Sequence, residues 1–166
     1  PEDALPFTLQ IDTASFGLPS GLQAYASAVY DNKWIFIAGR TNGLHGFDNV
    51  GNNFPITYQN TRVFVVEPDT GQSWERSLLL GDLTPKEIDS LSVTASESFQ
   101  KGHLLYLVGG YGIDTQSGLM GTKSTLTEIN LKKLLKWVKG AGSIKKAIRQ
   151  TSHPLLQVTE IGRAHV

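Results

Sequence analysis

The sequence predicts an all-β fold of two equivalent four-stranded antiparallel units, and two observations carry that expectation. Lys33-Trp-Ile-Phe-Ile-Ala-Gly-Arg40 and Leu104-Leu-Tyr-Leu-Val-Gly-Gly-Tyr111 are both short apolar runs closed by a small residue and a glycine. Each is followed by a polar loop, another β-like run and a tryptophan. Superposing Gly39 on Gly110 gives an offset of 71 (39 to 110), and superposing Trp74 on Trp137 gives 63 (74 to 137). The second copy therefore has the shorter internal loop. Repetition of this kind marks units that bury their faces against neighbouring copies.

Taken in chain order, Phe7, Leu9 and Ile11 alternate with Thr8, Gln10 and Asp12, the period of two of a half-buried strand. Gly17-Leu-Pro-Ser-Gly21 breaks it. Gln23–Tyr30 is a small-residue and aromatic run suited to a crowded inner strand. Asp31-Asn32 makes the turn, and Lys33–Ala38 reads as a strand buried on both faces. Arg40–Asn60 is a long polar loop, a length that points to function or disorder. Arg62–Glu67 is a third strand, Pro68-Asp-Thr-Gly71 a turn, and Ser73–Leu79 a fourth strand. Thr84-Pro-Lys-Glu87 has an N-cap hydroxyl, proline at the first helical position and glutamate at the capping-box spacing, so it opens a short helix ending near Leu91. The cycle then repeats, with strands over Ser92–Phe99, Leu104–Val108 and Ser124–Asn130 and a loop over Gly109–Lys123. Leu131, Leu134, Leu135 and Val138 fall at i, i+3, i+4 and i+7, a short amphipathic helix ending at Gly140. Ile144–Thr151 supplies a fourth strand, and Leu155–Thr159 opens a third unit.

Four short strands per unit, a small-Gly pair after the second and a tryptophan near the fourth resemble the kelch repeat of β-propellers. Ile37-Ala38-Gly39 and Val108-Gly109-Gly110 match its diglycine, and Val65-Val66-Glu67-Pro68 through Trp74 match the segment that usually reads valine, aspartate, proline, then tryptophan. Ala38 replaces the first glycine, Glu67 the usual aspartate, and Leu131-Lys132-Lys133 the proline turn of the second copy. Gly39-Arg40…Gly43-Leu44-His45-Gly46-Phe47 and Gly109-Gly-Tyr-Gly112 also resemble a kelch subgroup found in secreted bacterial proteins. The resemblance spans residues 22–159 and implies consecutive four-stranded antiparallel blades of an incomplete kelch-type propeller, with short helical insertions. It divides the chain into an N-terminal strand and linker (1–21), a blade (22–91), a second blade (92–153) and the start of a third (154–159). Glu160–Val166 matches one reading frame through a short-read sequencing adapter, which makes 160–166 a non-native tail. Its structural repeat residues are Gly39, Gly109, Gly110, Asp69, Gly71, Trp74 and Trp137. Asp69-Thr-Gly71-Gln-Ser-Trp74 is also similar to the Asp-Gly-Trp core of the sialidase-type Asp-box, and in either family it is a hairpin turn.

Composition limits the function classes. Fifteen basic residues balance fifteen acidic ones, so no net field gathers nucleic acid or anionic lipid. The lysine cluster at 132, 133, 136, 139, 145 and 146, with Arg149, reads as a solvated face. Cysteine is absent, which removes thiolate metal sites and the tyrosine–cysteine crosslink of the copper oxidases among kelch-like propellers. No apolar run approaches the roughly 20 residues of a membrane-spanning helix. His45, His103 and His153 have no metal spacing, Asp48, Asn49, Asn52 and Asn53 lack the ligand alternation of calcium loops, and Gly109, Gly110 and Gly112 precede a loop where a dinucleotide site needs a helix. No cofactor is expected.

The connections after strands two and four of such a blade emerge on one face. That gathers Arg40, Asn42, His45, Phe47, Asn53, Tyr58, Tyr111, Asp114 and Gln116, a mixture of aromatic, amide and charged groups suited to a protein or glycan partner. The aromatic residues equally suit pinning the loops to the blade. The expectation is a non-enzymatic binding scaffold, secreted or in the cell envelope of a bacterium. The alternative is a piece of a glycan-active propeller enzyme, sialidase-like or galactose-oxidase-like, whose catalytic residues lie in other blades.

Overall fold

The computed structural model describes residues 7–14, 16–18, 20–43 and 53–159. Its strands form two four-stranded antiparallel meanders. The first is β1 (Ala26–Tyr30), β2 (Lys33–Ile37), β3 (Arg62–Glu67) and β4 (Gln72–Ser77), in that spatial order. Helix α1 (Pro85–Leu91) follows, its N-terminus closed by the expected capping box between Thr84 and Glu87. The second meander is β5 (Glu97–Lys101), β6 (Leu104–Val108), β9 (Thr125–Asn130) and β10 (Ile148–Ser152). A small hairpin, β7 (Tyr111–Asp114) and β8 (Leu119–Thr122), sits between its second and third strands, and helix α2 (Leu131–Val138) between its third and fourth. The all-β expectation holds, and the two apolar runs occupy the same second position in separate sheets.

The sheets face each other across one apolar core. Ala26, Ala28, Ile35, Ile37, Val63 and Val65 of the first sheet pack with Leu105, Leu107 and Ile129 of the second and with Leu91, Leu134 and Trp137 of the helices. The alternation in β9 follows directly, with Thr125, Thr127 and Ile129 turned inward and buried. On the far face of the first sheet, Phe36, Phe64 and Val66 are covered by Phe16, Leu18 and Leu22.

The small-Gly pairs explain how the units join. Ala38 and Gly39 take φ of 64° and 85°, and Gly109 and Gly110 take 64° and 86°, so both pairs turn through the left-handed region. In each the second residue then donates to the segment that follows its own sheet's fourth strand: Gly39 N–H to Val93 O at 2.7 Å, on the way into the second sheet, and Gly110 N–H to Val158 O at 2.7 Å. A Cβ on Gly39 would stand 2.5 Å from Gln23 O, and one on Gly109 2.0 Å from Val158 O. Ala38 carries its Cβ in a strained conformation, and Asn60 Nδ2 donates to its carbonyl at 2.9 Å. The lead-in segments match as well. Gln23 pairs with Arg40 and Thr94 with Tyr111, each through two backbone hydrogen bonds, and Ala24 and Ala95 follow at φ of 50° and 55°.

Four expectations need correction. The alternating segment from Phe7 to Ile11 forms no ladder among the described residues and leaves Phe7, Leu9 and Ile11 exposed. Alternation alone makes no strand without a partner edge. The first strand of the second sheet begins at Glu97, because the left-handed kink at Ala95 interrupts the ladder after Thr94. Within the expected loop Gly109–Lys123, the hairpin β7–β8 closes where Asp114 accepts from the Ser117 amide and hydroxyl and Gly118 takes φ of 71°. Trp74 and Trp137 are not equivalent: Trp74 is on β4, whereas Trp137 is buried on α2, which is inserted ahead of the fourth strand. The tail 160–166 lies outside the described residues.

Each tryptophan instead takes a cation from the other's segment. Arg76 of β4 lies 4.7 Å over the Trp137 ring and donates to the Trp137 carbonyl at 2.6 Å, while Lys139 lies 4.1 Å over the Trp74 ring. At the sheet edge, Gln100 of β5 accepts from Val29 N–H at 2.9 Å and donates to Val29 O at 2.7 Å, so one side-chain amide completes the open edge of β1.

Gly109→Ala is expected to lower the unfolding free energy by about 2 kcal/mol or more, since it adds both a backbone clash and left-handed strain. Ala38→Gly, at the matching position, should cost nothing or stabilise. Urea titration of both variants checks this contrast.

Candidate functional site

A meander places alternate connections at opposite ends, and the first sheet shows this directly. The short turns at Asp31-Asn32 and Pro68–Gly71 share one end, where Asn32 Nδ2 donates to Asp69. The connection from β2 to β3 and the β7–β8 hairpin lie at the other. At the turn end, Gly71 takes φ of 69°, as a hairpin turn requires, and Trp74 is half-buried against the core. Asp69 does not organise the turn. Glu67 does: its carbonyl accepts from Thr70 and Gly71 N–H, its carboxylate from the Thr70 hydroxyl, and Lys33 Nζ lies 2.8 Å from it. The Lys33 ammonium and the Thr70 hydroxyl hold the Glu67 carboxyl below its ordinary range, and Glu67 holds Lys33 above its own against the opposing effect of burial.

At the loop end the expected residues divide into two groups, with His45 and Phe47 outside the described residues. Arg40 is buried, 3% exposed, and anchors the first group. Its Nε donates to Asn42 Oδ1 at 3.2 Å and its Nη2 to Pro55 O at 2.6 Å, and its guanidinium lies 5.3 Å over the Phe54 ring. Phe54 meets Tyr111 edge to face at 5.4 Å, which ties the long loop of the first sheet to the hairpin of the second. Tyr58 is 44% exposed nearby in sequence, in a 3-10 turn at Ile56–Tyr58. Asp114 and Gln116 belong to the second group, at the hairpin tip beside α1, where buried Asp89 accepts from the Thr115 amide at 2.7 Å and its hydroxyl at 2.6 Å.

Sequence reasoning missed Gln59. It is buried, donates through Nε2 to Ser92 O at 2.9 Å and accepts from Ile113 N–H at 3.1 Å, so one amide bridges both units. Gln23 was missed too. It opposes Arg40 in the ladder, and with Ala24, Gly43, Phe54, Thr94 and Ala95 the pair lines a cavity of about 230 Å³. Neither residue carries a local signal, because its partner lies far along the chain.

Among the described residues no cluster of three His, Asp or Glu side chains could hold a metal ion, and no helix is long and apolar enough to cross a membrane. Compared with known proteins, the chain matches no family model and no curated sequence.

The Lys33–Glu67 pair sets a pH window. A lowered carboxyl contributes stability above its ordinary value of 4.5 and loses it as pH falls through the lower native value; a raised ammonium contributes below 10.5 and loses it as pH rises through the higher one. Glu67→Gln is therefore expected to flatten the fall in stability below about pH 4.5. Thermal melts of both proteins between weakly acid and strongly acid buffer check it.

Proposed function

We propose that the chain forms consecutive blades of a kelch-type β-propeller that serves as a non-enzymatic binding scaffold in the bacterial cell envelope or outside the cell. The loop end, with Arg40, Asn42, Tyr58 and Tyr111, meets a protein or glycan ligand. One observation carries this reading. The contacts from Arg40 to Phe54 to Tyr111, with the Gln59 bridge beneath them, hold loops of two units side by side before any ligand arrives. A preorganised surface loses little conformational entropy on binding, which favours recognition by a fixed platform. The matching φ values at the small-Gly pairs and the matching inter-unit bonds support the kelch-type reading of the repeat.

Binding to panels of immobilised polysaccharides and peptides tests the function. Tyr58→Ala, at an exposed loop-end position, is expected to weaken capture by roughly tenfold while leaving the melting temperature unchanged. Lys101→Ala, at the β5–β6 turn, should leave capture intact. Equal capture by all three proteins, or none by any, contradicts the scaffold.

A further inference from the structure

We propose that the cavity between Gln23 and Arg40 binds a carboxylate with a hydroxyl one or two carbons away, as in a uronic acid or a free hydroxy acid. This rests on the loop end being the binding surface and adds the chemistry that it selects.

The argument begins with a buried charge. Arg40 is 3% exposed, yet none of the described ion pairs includes it. Its guanidinium has five donors in a fixed fork, and two groups are used, Nε on Asn42 and Nη2 on Pro55. Nη1 is closed off from solvent with no hydrogen-bond partner. Burial pulls the Arg40 pKa downward, but a guanidinium keeps its proton in a protein, so among the described residues this buried cation has the Phe54 ring and two neutral oxygens beside it and no anionic partner. A buried cation with no described anionic partner and an unused buried donor each cost free energy, and a ligand carboxylate met by a small turn of the guanidinium toward the cavity removes both costs.

A second orphan group restricts the ligand further. Gln23 and Arg40 are directly opposed in an antiparallel bridge, bonded through both backbone pairs at 2.9 Å. Directly opposed residues send their side chains to the same face. Gln23 Oε1 is likewise buried with no partner. It is an acceptor and requires a donor, whereas Arg40 Nη1 is a donor and requires an acceptor. Sulfate offers only acceptors, and a neutral sugar offers no charge. A carboxylate beside a hydroxyl supplies both in one small molecule.

The walls agree with that choice. The cavity, about 230 Å³, is smaller than the several hundred Å³ of drug-sized sites and fits one ring or one short acid. Phe54 gives it an apolar side and Thr94 a polar one. Ala24 and Ala95 line it side by side, with φ of 50° and 55° and the Ala95 N–H donating to Ala24 O at 3.2 Å, so this part of the wall is fixed by backbone.

Calorimetric titration with D-galacturonate, D-galactose, lactate and acetate tests the inference. Galacturonate is expected to bind at least tenfold more tightly than galactose, a ratio that one charge-assisted hydrogen bond supplies. Lactate binding better than acetate identifies a free hydroxy acid as sufficient; galacturonate binding without lactate identifies the sugar ring as required. Arg40→Lys keeps the charge, loses the second donor branch and should abolish the preference for galacturonate over galactose. Gln23→Met keeps the shape, removes the acceptor and should weaken galacturonate by roughly tenfold and, where lactate binds, abolish its preference over acetate. Circular dichroism verifies folding, and if Arg40→Lys does not fold, Gln23→Met decides alone. Equal affinity for galacturonate and galactose, no binding of either acid, or galacturonate binding unchanged in Gln23→Met overturns the inference. Polysaccharide or peptide capture that persists through Tyr58 in that case leaves the scaffold standing and removes only the acid specificity.

Discussion

The hydrogen bond from the second residue of each small-Gly pair to the following lead-in segment is the constraint from which the rest of the molecule follows. Two successive left-handed residues after the second strand turn the Gly39 and Gly110 amides out of their own sheets, and each meets a valine carbonyl at the same 2.7 Å. The approach is so close that a Cβ at Gly109 would overlap Val158 O. Once these segments are joined, the first strands of the two sheets run beside each other and the Gln100 amide caps the edge of β1. The inner faces then have no alternative to packing on one another, and the core of Ile35, Val63, Leu105 and Ile129 forms between them. The hydrophobic effect supplies the driving force, and the small-Gly turn sets the geometry in which it acts.

Much of this was legible in the chain. Continuous β-branched and aromatic runs located β2 and β6, but only β2 is buried on both faces, Trp34 excepted; β6 alternates, with Leu105 and Leu107 buried and Leu104, Tyr106 and Val108 half-buried. Thr84, Pro85 and Glu87 located α1 through side-chain hydrogen bonds that are local in sequence, and the spacing of Leu131, Leu134, Leu135 and Val138 located α2. The failures have one cause, long-range pairing. Phe7–Ile11 alternates like a strand but finds no ladder among the described residues, and the β7–β8 hairpin carries glycines at 112 and 121 that weaken its pattern. Trp137 was matched to Trp74 by residue type, whereas the third strands repeat at that offset and the fourth strands do not, α2 having been inserted between them.

The site was legible by residue type and not by arrangement. Arg40, Asn42 and Tyr111 were expected at the loop end, and Arg40 is there bonded to Asn42 and joined to Tyr111 through Phe54. Asp114 and Gln116 moved away from that group because the hairpin extends toward α1 and is held there by Asp89. Gln23 and Gln59 escaped notice, since an amide has meaning only beside its partner. The same inter-unit join that fixes the core also brings Ala24 and Ala95 to one cavity, so the stability of the repeat and the shape of the proposed site depend on the same turn.

Coupling across the hydrogen bonds themselves tests that dependence most directly. In a uniformly labelled sample, NMR scalar coupling should connect the Gly39 nitrogen to the Val93 carbonyl carbon and the Gly110 nitrogen to the Val158 carbonyl carbon, with both amides slow to exchange. Absence of both couplings, with fast exchange at the two glycines while the strands stay protected, would show that the sheets are joined in some other way.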